Sequence, residues 1–211
     1  MLKKYYENAR KPQGLSGSIL LSSMNSRHYE MSTWGFNHLS IDPADWILDI
    51  GCGGGKNIER MLTMVSRGKV YGLDYSEVSV KKSLRLNRPS VLSGRSEIIQ
   101  ASVSKIPYSD ALFDVVTAFE TVYFWPDFLS DAREVARVLK PGGTFMICNE
   151  AVVYDDAPIS DDPFVEMLAL KMYTPAQYKK ILQQAGFDNV EVFISEDEKP
   201  FISVIAHRGK G

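Results

Sequence analysis

The chain has 211 residues, of which 45% are hydrophobic and 24% charged, and its formal net charge at pH 7 is −2. This is the composition of an ordinary globular protein, and the length suits one domain with a substantial core. A net charge so close to zero provides no global field that would attract nucleic acid or an anionic membrane, so we expect neither as a partner.

The cysteines and acidic clusters predict neither a disulfide nor a metal site. Cys52 and Cys148 lie in apolar, strand-like contexts, and no Cys/His spacing has the form of a zinc site. We interpret both as reduced thiols and expect a cytoplasmic protein. No apolar run approaches the length of a membrane span or of a signal-peptide core. The four aspartates between residues 155 and 162 are typical of a solvated loop, so no metal is predicted there.

From residue 46 onward, short apolar runs alternate with segments of helical periodicity. The predicted strands are residues 46–50, 70–73, 97–101, 113–119 and 143–149, followed by a hairpin of residues 190–194 and 201–206. The predicted helices are residues 58–65, a segment capped by Ser76, residues 128–139, and residues 175–185 behind a capping box at Thr174. This alternation, closed by an antiparallel hairpin, predicts a doubly wound α/β sheet.

Two stretches fall outside this alternation. Residues 1–43 have a helical but irregular pattern, and residues 151–173 form an insertion after the fifth strand. Ligands of open α/β sheets bind beyond the carboxyl ends of the strands, and both stretches are placed to cover that edge. We therefore predict a single domain over residues 1–211, with 1–43 as an N-terminal helical lid and 151–173 as a second lid.

A glycine-rich turn follows the first strand, in the sequence ILDIGCGGG at residues 47–55. Gly51 permits a tight turn, Gly53 allows a ligand to approach the backbone, and the following helix presents unpaired N–H groups to an electron-rich ligand. The dinucleotide fingerprint requires a glycine where Lys56 stands, which disfavours a nicotinamide cofactor. Asp74 ends the second strand, where a carboxylate can accept hydrogen bonds from a ribose diol; the alternative is that it caps the next helix.

Four segments in this order resemble the class I S-adenosylmethionine-dependent methyltransferases, in particular their type 11 small-molecule branch: ILDIGCGGG at 47–55, GLDYS at 72–76, IPYSDALFDVV at 106–116 and LKPGG at 139–143. The resemblance covers roughly residues 44–150 by motif. It implies a Rossmann-like, mainly parallel seven-stranded sheet in the order 3-2-1-4-5-7-6 with strand seven antiparallel. It also implies S-adenosyl-L-methionine as the cofactor, and it is nearly silent about the methyl acceptor.

The resemblance also implies a set of cofactor-binding residues, which are Asp49, Gly51, Cys52, Gly53, Gly55, Asp74, Tyr75, Ser102, Val103 and Phe119. Asp49 would organise the glycine turn near the methionine end, Asp74 would hold the ribose hydroxyls, and Tyr75 would pack on adenine. Ser102 stands where the family usually has an acid that accepts a hydrogen bond from the adenine amino group. A serine hydroxyl can do the same, but more weakly.

The methyl group of a sulfonium is already activated, so transfer mainly requires that the acceptor is aligned with it. An oxygen or a protonated amine as acceptor also needs a general base. The candidates are Glu120 after the fourth strand, Tyr123, and His38 and His28 in the N-terminal lid, although a structural or solvent-exposed role is an alternative for both histidines. The aromatic residues 123–125 either form a wall for an apolar or cationic acceptor or only pack beneath a lid.

Several acceptor classes are disfavoured. Residues 119–122 read FETV, without the Pro-Pro-aromatic loop of nucleic-acid amino-methyltransferases. Two cysteines cannot build the three-thiolate site of arsenite methyltransferases, and the paired glutamates of arginine methyltransferases are absent beyond Glu120. A small-molecule acceptor is left by elimination, and an oligomer is allowed but not indicated. Two alternatives stay open: an NAD-type Rossmann oxidoreductase, and a cofactor-binding regulatory module without transfer activity.

Overall fold

The computed structural model describes residues 28–154, 170–198 and 200–210. Residues 1–27 of the predicted N-terminal lid lie outside the described residues, as does the 155–169 part of the predicted insertion with its four aspartates. None of the helices within the described ranges combines the length and the apolar character that a bilayer span requires.

Seven strands form one sheet in the order β3-β2-β1-β4-β5-β7-β6. Strands β1 to β5 pair in parallel, and β7 runs antiparallel to both β5 and β6. The strands are β1 (Trp46–Ile50), β2 (Lys69–Asp74), β3 (Ser96–Gln100), β4 (Phe113–Phe119), β5 (Leu139–Asn149), β6 (Phe187–Ile194) and β7 (Ile202–Arg208). The predicted fold class, strand order and antiparallel last strand are confirmed.

Helices cover both faces of this sheet. They are α1 (Tyr29–Phe36), α2 (Lys56–Met64), α3 (Glu77–Leu86), α4 (Arg88–Leu92), α5 (Phe128–Val138) and α6 (Pro175–Gln184), with a short 3-10 turn at Val122–Phe124. One apolar core contains buried residues of α1, α2 and α3, and the other contains those of α5 and α6. The inner strands are apolar on both sides because each face is covered.

The largest departure from the predicted elements is in β5, which begins four residues before the predicted start. Leu139 pairs with Phe113, and pairing then resumes between Thr144 and Val115, so the intervening Pro-Gly-Gly segment bulges out of the ladder. Gly142 has a φ of 78° at this bulge. Proline and glycine therefore interrupt the strand without ending it. The sequence pattern did not distinguish such a bulge within a strand from a turn before it.

The strand order reverses between β1 and β4, because β2 lies on one side of β1 and β4 on the other. The chain segments that leave β1 and β4 consequently diverge and open a crevice at the carboxyl edge of the sheet. This edge is where the glycine turn, Asp74 and Glu120 follow their strands. The topology thus brings residues from distant parts of the sequence to one place.

The predicted capping box of α6 is present. The Thr174 hydroxyl accepts a hydrogen bond from the Gln177 N–H (3.3 Å), and the Gln177 side-chain oxygen accepts one from the Thr174 N–H (2.9 Å). Two N–H groups that the helix itself cannot pair are satisfied in this way, which fixes the start of α6.

We expect Thr174→Ala to lower the free energy of unfolding by about 1 kcal/mol, because one N-terminal N–H loses its acceptor. Urea denaturation followed by circular dichroism measures this change. Thr174→Ser keeps the hydroxyl and is the control. Equal stability of the alanine variant and the wild type would show that the cap contributes nothing.

Candidate functional site

The glycine turn after β1 is held against the end of β2. The Leu73 carbonyl accepts hydrogen bonds from the N–H groups of both Gly51 (2.7 Å) and Cys52 (3.1 Å). Gly51 has a φ of 71°, and a Cβ built there would lie 2.3 Å from Cγ2 of Thr121. Only glycine fits this position, both in its backbone conformation and in the space available.

Gly55, which the resemblance places among the cofactor-binding residues, does not line the cavity described below. It has a φ of 81° at the start of α2, and its Cβ would lie 2.2 Å from the Ser83 hydroxyl oxygen and 2.6 Å from Nδ2 of Asn87. Asn87 Nδ2 donates a hydrogen bond to the Gly55 carbonyl (3.0 Å). Gly55 therefore permits α2 and α3 to pack closely behind the turn.

Asp74 connects the end of β2 to the glycine turn. Its Oδ2 accepts a hydrogen bond from the Gly53 N–H (2.9 Å), and its Oδ1 accepts one from the Ser76 N–H (2.8 Å). Burial raises the pKa of Asp74, while these backbone bonds lower it. The Ser79 side chain also bonds this carboxylate. A carboxylate has about four acceptor positions, so Asp74 can organise the turn and still accept from a ligand in the cavity.

Asp49 is the most deeply buried acid of the site, at 3% exposure. Its Oδ1 accepts a hydrogen bond from the Thr117 hydroxyl (2.8 Å). Burial raises the pKa of Asp49 to about 7, and the neighbouring charge of Asp74 adds to this shift. Because this carboxyl is buried and has a single neutral donor, any positive charge that enters the cavity favours its ionised form.

A cavity of about 340 Å³ runs along the carboxyl edge of the sheet. This volume is within the range of small-molecule sites. The predicted cofactor residues that line it are Asp49, Gly51, Cys52, Gly53, Asp74, Tyr75, Ser102, Val103 and Phe119. Glu120 and His28 line it too, so one space contains nine of the predicted cofactor residues and two candidate bases.

The end of the cavity beyond β2 and β3 is mainly apolar. Val103 is buried and Tyr75 is partly exposed, and both face the cavity. The Ser102 hydroxyl oxygen accepts a hydrogen bond from the Ser104 N–H (3.2 Å) and retains the capacity to bond a ligand.

The other end of the cavity contains Glu120, whose backbone has a φ of 58°. A positive φ is uncommon outside glycine and is concentrated at functional positions. Glu120 Oε1 accepts a hydrogen bond from the Glu150 N–H (2.5 Å), and Oε2 accepts one from the Tyr123 hydroxyl (2.6 Å). Burial raises the pKa of Glu120, and the charge of His28 opposes that shift. Tyr123 itself does not line the cavity but fixes the carboxylate that does.

His28 lies beside Glu150, with 2.7 Å between Nδ1 and Oε1. The two residues are 122 positions apart in the sequence. Glu150 was not among the predicted site residues. It directly follows β5 as Glu120 directly follows β4, and these strands are neighbours, so its position at a strand end was the signal that could have identified it.

His38, predicted as a candidate base, lies away from this cluster and does not line the cavity. Its ring packs between Trp34 (4.5 Å between ring centroids) and Phe193 (4.3 Å). An aromatic cluster of this kind keeps the imidazole out of contact with a ligand in the cavity. Of the two histidines, the structure brings His28, and not His38, to Glu120.

The aromatic segment after β4 combines the two predicted roles. Phe124 and Trp125 line the cavity. Trp125 is nevertheless 4% exposed and stacks on Phe145, with 6.1 Å between centroids and 13° between planes. The tryptophan therefore contributes an edge of the cavity while belonging to the core.

Comparisons with known proteins assign the family. Residues 48–147 match the family model of a methyltransferase domain. The chain is a member of the class I S-adenosylmethionine-dependent methyltransferases. It is 36% identical over 109 residues to cycloartenol-C-24-methyltransferase 1 of Oryza sativa subsp. japonica, covering 52% of this chain and 31% of that protein. It is 26% identical over 183 residues to the uncharacterized methyltransferase YdaC of Bacillus subtilis (strain 168), covering 87% and 93%.

A solved methyltransferase structure has the same fold. A SAM-dependent methyltransferase from Aquifex aeolicus superposes with a TM-score of 0.73 at 22% identity, over 90% of this chain and 97% of that one. The Bacillus protein is matched over nearly its whole length, whereas other curated relatives are matched over less than two thirds of theirs, for example 31% of the rice protein and 54% of the sarcosine/dimethylglycine N-methyltransferase of Halorhodospira halochloris.

S-adenosylmethionine suits the chemistry of this cavity. Its hydroxyl groups need acceptors, its cationic methionine end is favoured by negative charge, and its purine needs an apolar surface. Buried carboxylates at Asp49 and Asp74 and the apolar surface at Val103 meet these needs. Gly51 leaves open the space beside Thr121 that a side chain would fill.

We expect Gly51→Ala to weaken S-adenosylmethionine binding and to destabilise the fold, because the methyl group meets Thr121 and the backbone is strained. Gly94→Ala is the matched control, since Gly94 has a φ of 72° but nothing within 4 Å of its Cβ. The control should lose only the backbone term of about 1–2 kcal/mol and bind the cofactor normally. Urea denaturation and calorimetric titration measure both quantities. Equal effects of the two substitutions would refute the steric account.

The buried carboxyl of Asp49 predicts a pH-dependent stability. Its pKa is about 7 in the folded protein against about 4 in an unfolded chain, so the folded state holds an extra proton between these values. This contribution is fully present below pH 4 and is lost as pH rises to 7. We expect Asp49→Asn to gain up to about 4 kcal/mol relative to the wild type between pH 4 and pH 8. Urea denaturation at several pH values measures this gain.

The exposed Asp197→Asn is the control for this titration and should show no such trend. A constant stability difference between Asp49→Asn and the wild type across the pH range would contradict the assignment of a raised pKa to Asp49.

Proposed function

We propose that the protein transfers a methyl group from S-adenosylmethionine to a small-molecule acceptor that binds at the Glu120 end of the cavity. One observation carries this proposal. A single cavity extends from Tyr75 and Val103, past Asp74 and the glycine turn, to Glu120 and His28. Residues suited to the cofactor and residues suited to an acceptor thus share one continuous space.

In this proposal each part of the cavity binds a different part of the cofactor. Tyr75, Ser102 and Val103 contact the adenine, and Asp74 accepts hydrogen bonds from the ribose hydroxyls. Gly51 and Asp49 face the methionine portion. Support comes from the order β3-β2-β1-β4 of the strands that these residues end or follow, and from the burial of both carboxylates. Cys52 contributes its backbone, since its thiol is buried against Gly72.

When bound, the cofactor supplies a methyl group already activated by its sulfonium. The protein has to place an acceptor in line with that methyl group and to exclude water. Phe119, Phe124 and Trp125 give this end of the cavity an apolar wall. Glu120 is the proposed acid–base group, because a partly buried carboxylate with a raised pKa is a stronger base than an ordinary one. Tyr123 positions it through the 2.6 Å hydrogen bond.

The names of the relatives do not select the acceptor. One is a cycloartenol C-methyltransferase and another a sarcosine/dimethylglycine N-methyltransferase. The cytoplasm is the proposed location, supported by Cys52 and Cys148, which are both free and buried. The acceptor has to be inferred from the chemistry of the cavity itself.

Isothermal titration of S-adenosylmethionine and S-adenosylhomocysteine tests the proposed cofactor contacts. We expect Asp74→Ala to bind both at least about tenfold more weakly, because the ribose loses its acceptor and the glycine turn loses its anchor. The exposed Asp197→Ala is the matched control and should bind as the wild type does. A folded wild-type protein that binds neither compound would overturn the proposal, and binding without turnover of any acceptor would favour a regulatory module.

A further inference from the structure

The ends of β4 and β5 bring two carboxylates and an imidazole together. Glu120 follows β4, Glu150 follows β5, and His28 immediately precedes α1. A nitrogen of His28 and one carboxylate oxygen from each glutamate all lie within 4.8 Å of one another. We refer to these three residues as the acidic cluster. Glu120 and His28 line the cavity, and Glu150 lies behind them, bonded to His28 and, through its N–H, to Glu120. Two acids so close together are costly unless a cation compensates them.

The acidic cluster carries more negative than positive charge. Glu150 pairs with His28, and burial raises the pKa of Glu120 while the charge of His28 lowers it. In the described ranges, neither glutamate forms an ion pair with a lysine or an arginine. One imidazole therefore balances at most one of the two carboxylates. A cation in the adjoining cavity would balance the other.

Aromatic rings border the same part of the cavity. Phe124 lines it, and its ring lies edge-on to Tyr123 with 4.6 Å between centroids. The Tyr29 ring also lines the cavity, but Arg60 already covers one of its faces at 4.6 Å from the centroid. The face of an aromatic ring attracts an alkylammonium ion, and the alkyl groups gain apolar contact. The wall is therefore suited to an organic cation rather than to a hydrated one.

The hydrogen bonds of the cluster favour an ammonium ion over a metal ion. Glu120 already accepts from the Glu150 N–H and the Tyr123 hydroxyl, and Glu150 already bonds His28. A metal ion would need these oxygens and the imidazole nitrogen as direct ligands about 2 Å away, which would break the network. An ammonium ion in the cavity needs only a remaining lone pair of Glu120, which lines the cavity. An anionic acceptor would be repelled by both carboxylates.

We propose, building on the methyl transfer proposed above, that the acceptor is a small aliphatic amine, which Glu120 binds as an ammonium ion beside Phe124 and which His28 deprotonates, while the negative charge of Glu150 behind His28 strengthens the preference for a cation. For an amine acceptor the acid–base role proposed above for Glu120 passes to His28, because Glu120 holds the positive charge, and the imidazole takes the proton from the acceptor nitrogen. The freed lone pair then forms the N–C bond to the methyl group, and the C–S bond breaks with its electron pair passing to sulfur. The products are an N-methylated ammonium ion, S-adenosylhomocysteine and protonated His28, which returns its proton to water through its 20% exposed side chain.

A matched pair of probes tests the charge requirement. Choline and 3,3-dimethyl-1-butanol have the same shape, but only choline is positively charged. We expect calorimetric titration into protein saturated with S-adenosylhomocysteine to show choline binding at least about tenfold tighter than the alcohol. Glu150→Gln should remove most of this preference without changing the affinity for S-adenosylhomocysteine. This variant keeps the backbone N–H that bonds Glu120, and the exposed Glu196→Gln is the control.

Equal binding of the two probes by protein that binds S-adenosylhomocysteine would overturn the amine proposal and leave the proposed methyl transfer intact. Failure to bind S-adenosylhomocysteine at all would instead count against the proposed function. Titration with Mn²⁺ distinguishes a metal site from an ammonium site. If Mn²⁺ binds, if Glu150→Gln abolishes that binding, and if choline is not preferred, the amine proposal is also overturned.

Turnover tests the proton step. Primary, secondary and tertiary aliphatic amines are incubated with S-adenosylmethionine, and formation of S-adenosylhomocysteine is followed. For an amine that the wild type methylates, we expect His28→Gln to slow the reaction about a hundredfold at pH 7. The slowing should be smaller at pH values where the free amine is abundant. A deficit of the same size at all pH values would assign His28 a structural role, and the absence of product from every amine would overturn the amine proposal.

Discussion

The glycine turn, which hydrogen bonds hold against the end of β2, is the constraint on which the rest of the site depends. Leu73 accepts the N–H groups of Gly51 and Cys52, and Asp74 accepts that of Gly53, so the end of β2 holds the turn that leaves β1. A methyl group at residue 51 would collide with Thr121, so the segment after β4 can lie this close to the turn only because residue 51 is a glycine. The spacing of the segments at the ends of β1, β2 and β4 therefore shapes the cavity that Asp49, Asp74 and Glu120 line.

Two buried carboxylates, Asp49 and Asp74, and the partly buried Glu120 give this space its chemistry. Asp49, Asp74 and Glu120 each sit at or beside the end of a strand, and burial raises the pKa of all three. Their desolvation opposes folding, and hydrogen bonds from backbone N–H groups and hydroxyls offset part of it. A ligand that brings hydroxyl groups and positive charge offsets the remainder. The desolvation of these carboxylates lowers the stability of the free protein, and the same carboxylates then raise its affinity for a suitable ligand, which is common at functional sites.

Helix α1 contributes the part of the site most distant in sequence. A Cβ at Gly35 would lie 2.7 Å from both Cys148 Sγ and Met146 Cε, so α1 rests directly on β5. This close packing holds His28, at the start of the helix, over Glu150 at the end of the same strand. The position of the imidazole is therefore determined by the packing of the helix against the sheet.

The sequence by itself determined the elements whose signals are local. Apolar runs and glycines fixed the strands, the strand-end acids Asp49, Asp74 and Glu120 marked the carboxyl edge, and the motifs predicted the sheet order that the structure confirms. Only the tertiary structure decided the rest. It brought His28, and not His38, together with Glu120 and Glu150, and it showed that Gly55 allows α2 and α3 to pack closely. The physical reason is distance along the chain: a turn or a cap is encoded within a few residues, whereas a contact spanning 122 residues depends on how a helix packs onto a strand.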